Sequence, residues 1–194
     1  MERNFETVMI EQCSPVLAGL KAANLFRHEC RDRQALYATV AGWNAQLSGR
    51  GIRLLVLKEC PIRHWFLIYL YRPARLEAVL GRPEVRQFLQ QEGYALPLQA
   101  AGDACQPLLA QLAGRLACDG DFPHEIGVFL GYPLEDVVGF IRNRGQNFTC
   151  CGCWKAYGDP DAARRLFAQL NKCTAVYLRL FHSGTPILRL AVAA

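Results

Sequence analysis

Ile52-Arg53-Leu54-Leu55-Val56-Leu57-Lys58 and Trp65-Phe66-Leu67-Ile68-Tyr69-Leu70-Tyr71-Arg72 decide the fold class of this chain. Both runs are rich in β-branched, aromatic and leucine residues, the composition of strands. Cys60-Pro61-Ile62-Arg63 lies between them, so the pair predicts a hairpin. Nearly every position is apolar, which predicts a central place in a sheet covered on both faces. Ile187 to Val192 reads as a further strand.

Helical patterns surround this hairpin. Leu36, Val40, Trp43 and Leu47 recur every three or four residues between Asp32, a good N-cap, and Gly49 and Gly51, which stop the helix. Asn4 to Cys13 is also helical, and Ser14-Pro15 restarts the chain as N-cap and first helical residue. Further helices are expected at 73–80, 83–92 and 103–117. A pair at 123–130 and 133–143 should turn at Gly131-Tyr132, and 161–172 should run on through Cys173, Tyr177 and Phe181. The stretch 93–102 is expected to be the least ordered. The prediction is α+β: a helix-rich single domain, 1–194, around a small, mainly antiparallel sheet. The strands are too few and the helices too clustered for a doubly wound pattern.

Composition bounds function more loosely. The 194 residues suit one domain and bury enough surface to fold without staples. No long apolar run follows Met1, and the most apolar stretch, 65–71, falls well short of the roughly 20 residues a spanning helix needs. No membrane role is therefore expected. Nine cysteines is an odd number, and without a secretion signal they read as reduced thiols in a cytoplasm. The net charge of +5 comes almost wholly from 18 arginines spread along the chain. It reads either as a solvated basic surface or as an Arg-lined pocket for a small anionic ligand.

The pair around Gly131 has the packing positions of a helix-turn-helix: Gly127 for a close crossing, Gly131 for the turn, and Leu130, Val137 and Phe140 between the helices. Its reading positions do not suit DNA. Pro133, Leu134, Glu135, Val138 and Gly139 offer neither base-reading amides nor positive charge. Glu135 and Asp136 instead complement a helix dipole. Nucleic acid is not the expected partner. Leu134 and Val138 are expected at the surface, where they could serve a protein partner.

Two thiol groupings carry chemistry. Cys150 and Cys153 form C-x-x-C, and Cys173 lies 20 residues on. That set could ligate zinc or an iron–sulfur cluster, act as a redox dithiol, or be packed thiols in a glycine turn. The second pair of a structural zinc site is missing. Separately, Cys13 could be a nucleophile with His124 as base and Glu125 as orienting group. His124 falls in a first helical turn, where the dipole favours neutral imidazole. Successive helical side chains diverge by about 100°, so Glu125 is poorly placed to orient His124.

Phe122 to Val137 carries Pro123-His124-Glu125 and Leu130-Gly131-Tyr132-Pro133. With Cys13 to Lys21, Tyr69-Leu70-Tyr71-Arg72 and Gly152-Cys153-Trp154-Lys155-Ala156-Tyr157, these motifs resemble a family of roughly 200-residue bacterial proteins known only as a domain of unknown function. The resemblance spans nearly the whole chain. It implies a cytoplasmic bacterial protein and no particular activity. It directs attention to His124 and Glu125 and to Lys21, Tyr132, Lys155 and Tyr157 as ligand-binding candidates. The sequence thus leaves three readings: a thiol-dependent enzyme or redox protein acting on a small anionic ligand, a metal-binding cysteine protein, or an interaction module.

Overall fold

The computed structural model describes residues 4–97, 105–117 and 122–193. Strands β1 (Ala23–Glu29), β2 (Arg53–Cys60) and β3 (Trp65–Tyr71) form an antiparallel sheet in the order β1-β3-β2. The expected hairpin is β2 and β3, but only β3 is central. Its side chains alternate strictly. Phe66, Ile68 and Leu70 enter one hydrophobic cluster, and Tyr69 and Tyr71 enter the other. A strand buried on both faces must be apolar throughout, and β3 is.

Helices cover each face. Against Phe66, Ile68 and Leu70 lie α1 (Phe5–Leu17), α2 (Arg33–Leu47) and α9 (Ile187–Leu190). Against Tyr69 and Tyr71 lie α3 (Pro73–Leu80), α4 (Pro83–Gln91), α5 (Gln106–Ala117), α6 (Ile126–Phe129) and α7 (Leu134–Arg142). A two-residue hairpin, β4 (Cys150–Cys151) and β5 (Lys155–Ala156), leads into the long α8 (Pro160–His182). The fold is α+β and helix-rich, with nine α-helices among the described residues.

Several local expectations hold for the stated reason. Asp32 caps α2 by accepting from the Ala35 N–H at 3.0 Å, and Gly51 ends the following turn at φ +67°. α8 does run through Cys173, Tyr177 and Phe181. The α6–α7 turn uses Gly131 at φ +74°, and a Cβ on Gly127 would come within 2.8 Å of Val137. Leu134 and Val138, however, are partly buried against the main cluster, so the exposed apolar pair is not there.

Two further expectations fail. Residues 187–192 form no strand. Pro186 opens a short helix, and Ile187, Leu190 and Ala191 bury against α1. So short an apolar run has no periodicity that distinguishes the two states. The third strand is β1, whose Arg27, His28 and Glu29 disguise it, because an edge strand carries charge. At Ser14-Pro15 the chain does not restart. α1 continues to Leu17, and the Ser14 hydroxyl donates to the Ile10 carbonyl near the proline. Of the stretch 93–102, residues 98–102 lie outside the described residues. Within the rest, Tyr94 is buried.

Arg72 joins the layers. It follows β3 and is 3% exposed. Its guanidinium donates to the carbonyls of Val16 at 2.7 Å, Leu17 at 2.8 Å and Val192 at 2.7 Å. Arg72→Ala leaves three carbonyls without this donor, at about 1–3 kcal/mol each before water partly replaces it. The expected loss in urea unfolding is about 3–5 kcal/mol. Arg72→Lys should recover only part of it, because one ammonium cannot span three acceptors as a planar fork does. A loss below roughly 1 kcal/mol would contradict this role.

Candidate functional site

The site begins where α1 ends. Gly19 takes φ +73°, and the N–H groups of Leu20 and Lys21 both return to the Pro15 carbonyl, at 2.8 and 3.1 Å. This tight reversal places Lys21 just before β1. The turn at Gly131 lies against it, since a Cβ on Gly131 would stand 3.2 Å from that of Ala22. Tyr132 therefore meets Lys21, whose Nζ lies 4.8 Å from the ring centroid. Nζ also donates to Asn24 Oδ1 at 2.9 Å.

An aromatic column continues from Tyr132. The Trp154 indole stacks on Tyr132 with centroids 4.5 Å apart and an angle of 21°. Phe167 meets the indole edge-on at 4.6 Å. The β4–β5 turn positions Trp154, and Gly152 permits it, because any Cβ there would run into the Phe167 ring. Buried Asp136, in the first turn of α7, fixes the assembly. It accepts from Trp154 Nε1 at 2.7 Å, from the Tyr157 N–H at 2.6 Å and from the Gly158 N–H at 3.2 Å.

Two cavities share the Trp154 wall. One, of about 360 Å³, is mainly apolar and lies between α6, α7 and the hairpin, with His124, Tyr132, Phe140 and Lys155 on its walls. The other, of about 310 Å³, is lined by Lys21, Arg75, Arg82 and Trp154, with Val79 and Leu170. Among the described residues no carboxylate lines the second cavity. Among the described residues neither Arg75 nor Arg82 has an acidic partner.

Electrostatics single out Lys21. Burial pulls its amine down to about 8 from 10.5, partly offset by the thiols of Cys13 and Cys153. Burial pushes Cys13 up to about 12, against a small opposite effect of Lys21. Tyr132 rises to about 12 for the same reason, aided by Cys153. Cys153 is also raised by burial, with Lys21 opposing, and its Sγ contacts Asn171 Oδ1 at 3.7 Å. At neutral pH the thiols and the phenol are therefore uncharged beside the amine.

The residues named from sequence separate into groups. Lys21 and Tyr132 come together, and Lys155 and His124 share the neighbouring apolar cavity with Tyr132. The Lys155 amine is bonded to the Gly145 carbonyl at 2.7 Å. Tyr157 lines neither cavity. Its ring covers Gly139, and its buried hydroxyl has no partner among the described residues. Cys13, His124 and Glu125 are not brought together. Cys13 is enclosed in the α1 cluster, whereas Ile126 beside His124 and Glu125 belongs to the cluster on the other face of the sheet. Exposed His124 touches the Phe140 ring at 4.9 Å, and Glu125 accepts from Tyr94 and Arg115, each at 3.1 Å. Nor do Cys150, Cys153 and Cys173 converge. Among the described residues no three His, Cys, Asp or Glu side chains could hold one metal ion. Sequence reasoning missed Arg75, Arg82 and Asp136. Arg75 lies in α3 and Arg82 caps the start of α4, so no single helical period links them and the sequence carried no signal for the pair.

A family model described as protein of unknown function (DUF3793) matches residues 9–191. The chain belongs to that family. No curated protein and no solved structure matches it. The DUF3793 match runs from within α1 to the residue after α9 and so contains every residue of both cavities. No helix among the described residues is long and apolar enough to cross a membrane.

Two outcomes follow from the buried groups. In the folded chain Lys21 releases its proton near pH 8, and in the unfolded chain near 10.5. Between those values the unfolded chain binds more protons, so this group makes stability rise with pH there. Lys21→Met should therefore be more stable than the parent at pH 7, with the difference shrinking toward pH 10. A difference independent of pH, measured by urea unfolding, would contradict a desolvated ammonium. Thiol titration should find exposed Cys151 and Cys153 reacting before unfolding and enclosed Cys13 only with it.

Proposed function

We propose that this protein binds a small anion, a phosphate or carboxylate compound, in the cavity between Lys21, Arg75, Arg82 and the Trp154 indole. One observation carries the reading: three cationic side chains line one cavity of about 310 Å³ that, among the described residues, has no carboxylate on its walls. Unneutralised cations around a concavity focus field on anions and raise their local concentration. Arg75 and Arg82 stay charged at every physiological pH and present planar forks to oxyanions. The indole offers an apolar wall for the rest of the ligand.

The proposal includes a bacterial, cytoplasmic location. The family resemblance supports the first, and eight free cysteines among the described residues support a reducing compartment.

Thermal shift and calorimetric titration at low ionic strength test it, with inorganic phosphate, pyrophosphate and citrate as probes. At least one should raise Tm and bind saturably, since a ligand of the folded state stabilises by mass action. Arg75→Ala and Arg82→Ala should each weaken that binding roughly ten- to hundredfold, as loss of a charged hydrogen bond worth roughly 1.5–3 kcal/mol implies. No saturable binding by any probe, or equal binding by both variants, overturns the proposal.

A further inference from the structure

Resting on this anion-binding reading, we propose that Lys21 Nζ is a carbonyl-reactive amine that forms an imine with a small 2-oxo acid held by Arg75 and Arg82. The three cations of the cavity are not equivalent. Arg75 and Arg82 are exposed and permanently charged, suited to holding a carboxylate. Lys21 lies deeper, against the Tyr132 ring and Asn24, and has no acidic neighbour among the described residues.

An amine so placed differs from an ordinary surface lysine. Its hydrogen-bond acceptor is a neutral amide, and the nearby thiols of Cys13 and Cys153 stay protonated at neutral pH because burial raises both. Nothing stabilises the ammonium as a carboxylate would. The same burial brings the amine to about 8, so an appreciable fraction is neutral at pH 7. A desolvated lysine in an apolar setting is the usual arrangement for an imine-forming nucleophile. Lys155, by contrast, donates to the Gly145 carbonyl in the neighbouring cavity.

The step balances without an oxidant or a reductant. The neutral amine's lone pair forms a C–N bond at the keto carbon, and the carbonyl π pair moves to oxygen. A proton passes from nitrogen to that oxygen, giving a carbinolamine. A further proton from solvent lets the C–O bond break and water leave, producing the protonated imine. Arg75 and Arg82 hold the carboxylate and need not move. The imine keeps a positive charge on nitrogen, so the cavity remains cationic and the substrate carboxylate stays neutralised. Carbon–carbon bond making or breaking next to the imine, or exchange of the keto oxygen, are the reaction classes such an adduct opens.

The test uses the full chain with pyruvate or glyoxylate as probe and sodium cyanoborohydride to reduce the imine to a stable secondary amine. Peptide mapping by mass spectrometry then reads the label. Lys21 should be labelled at least about tenfold faster than exposed Lys172, with half-maximal rate near pH 8, as set by its lowered proton affinity. Arg75→Ala and Arg82→Ala should slow labelling at Lys21 and leave Lys172 unchanged. Lys21→Arg and Lys21→Met, each checked for an intact cooperative unfolding transition, should lose the label at that position. Labelling of Lys21 no faster than Lys172, or a rate that rises only toward the ordinary lysine range, overturns the imine. If pyrophosphate or citrate still binds through Arg75 and Arg82 in that case, the anion site stands and only the amine chemistry falls. If neither binds, both readings fall.

Discussion

The buried Arg72 guanidinium has no carboxylate partner among the described residues. The carbonyls of Val16, Leu17 and Val192 take that place at 2.7–2.8 Å, with that of Arg50 further off at 3.4 Å. Two of them belong to the C-terminal end of α1, where the helix dipole already concentrates negative potential. A buried cation with such partners has little freedom to move, because every alternative leaves a charge desolvated and unpaired. This one contact therefore sets three things together: where the central strand ends, where α1 ends and where the C-terminal segment crosses. The chain can turn tightly beside it because Gly19 tolerates φ +73°. Lys21 comes two residues later, so its position is inherited from Arg72.

From that anchor the site is assembled by contacts between segments far apart in sequence. Tyr132 reaches Lys21 only because Gly131 brings its turn against Ala22. Trp154 reaches Tyr132 only because Asp136 holds its indole nitrogen and the backbone N–H groups of Tyr157 and Gly158 on the approach to α8. The column from Lys21 through Tyr132 and Trp154 to Phe167 joins the α1 turn, the α6–α7 turn, the β4–β5 hairpin and α8. A cation over an aromatic face contributes about 0.5–2 kcal/mol, which does not offset the full desolvation of an ammonium. The lowered proton affinity of Lys21 records that shortfall. A fold selected for stability alone would place an apolar side chain there.

The parts of this fold that could be read from sequence are those where local pattern and burial agree. The hairpin at 52–58 and 65–72 was legible because β3 is buried on both faces, and the helix at Asp32 because cap, period and stop all coincide. β1 was not legible. An edge strand may expose one face, and the exposed charges of Arg27 and Glu29 conceal the buried Phe26 and His28 that alternate with them. The C-terminal run misled for the opposite reason, since six mostly apolar residues satisfy helix and strand equally. In the site, Lys21 and Tyr132 were recognisable as polar residues within motifs. Their meeting was not, because 111 positions separate them. Arg75 and Arg82 looked like two of many surface arginines. What distinguishes them is that no carboxylate among the described residues lines their cavity, a property of the folded surface alone.

The cysteines gain a different meaning from this geometry. Read along the chain, they suggest metal ligands or nucleophiles. In the fold, Cys13 and Cys153 are neighbours of an amine, and enclosure of Cys13 and partial desolvation of the more exposed Cys153 raise both thiols. Their value at those positions is electrical silence. A carboxylate at either place would pair with Lys21, return its proton affinity to the ordinary range and cancel one of three charges in the cavity. A second cation would depress Lys21 further and strain the fold. A thiol is compact, tolerates burial and carries no charge at pH 7 when desolvated. It lets the half-buried amine remain without a carboxylate partner, the state in which a lysine can hold an anion at one pH and act as a base or nucleophile at a slightly higher one.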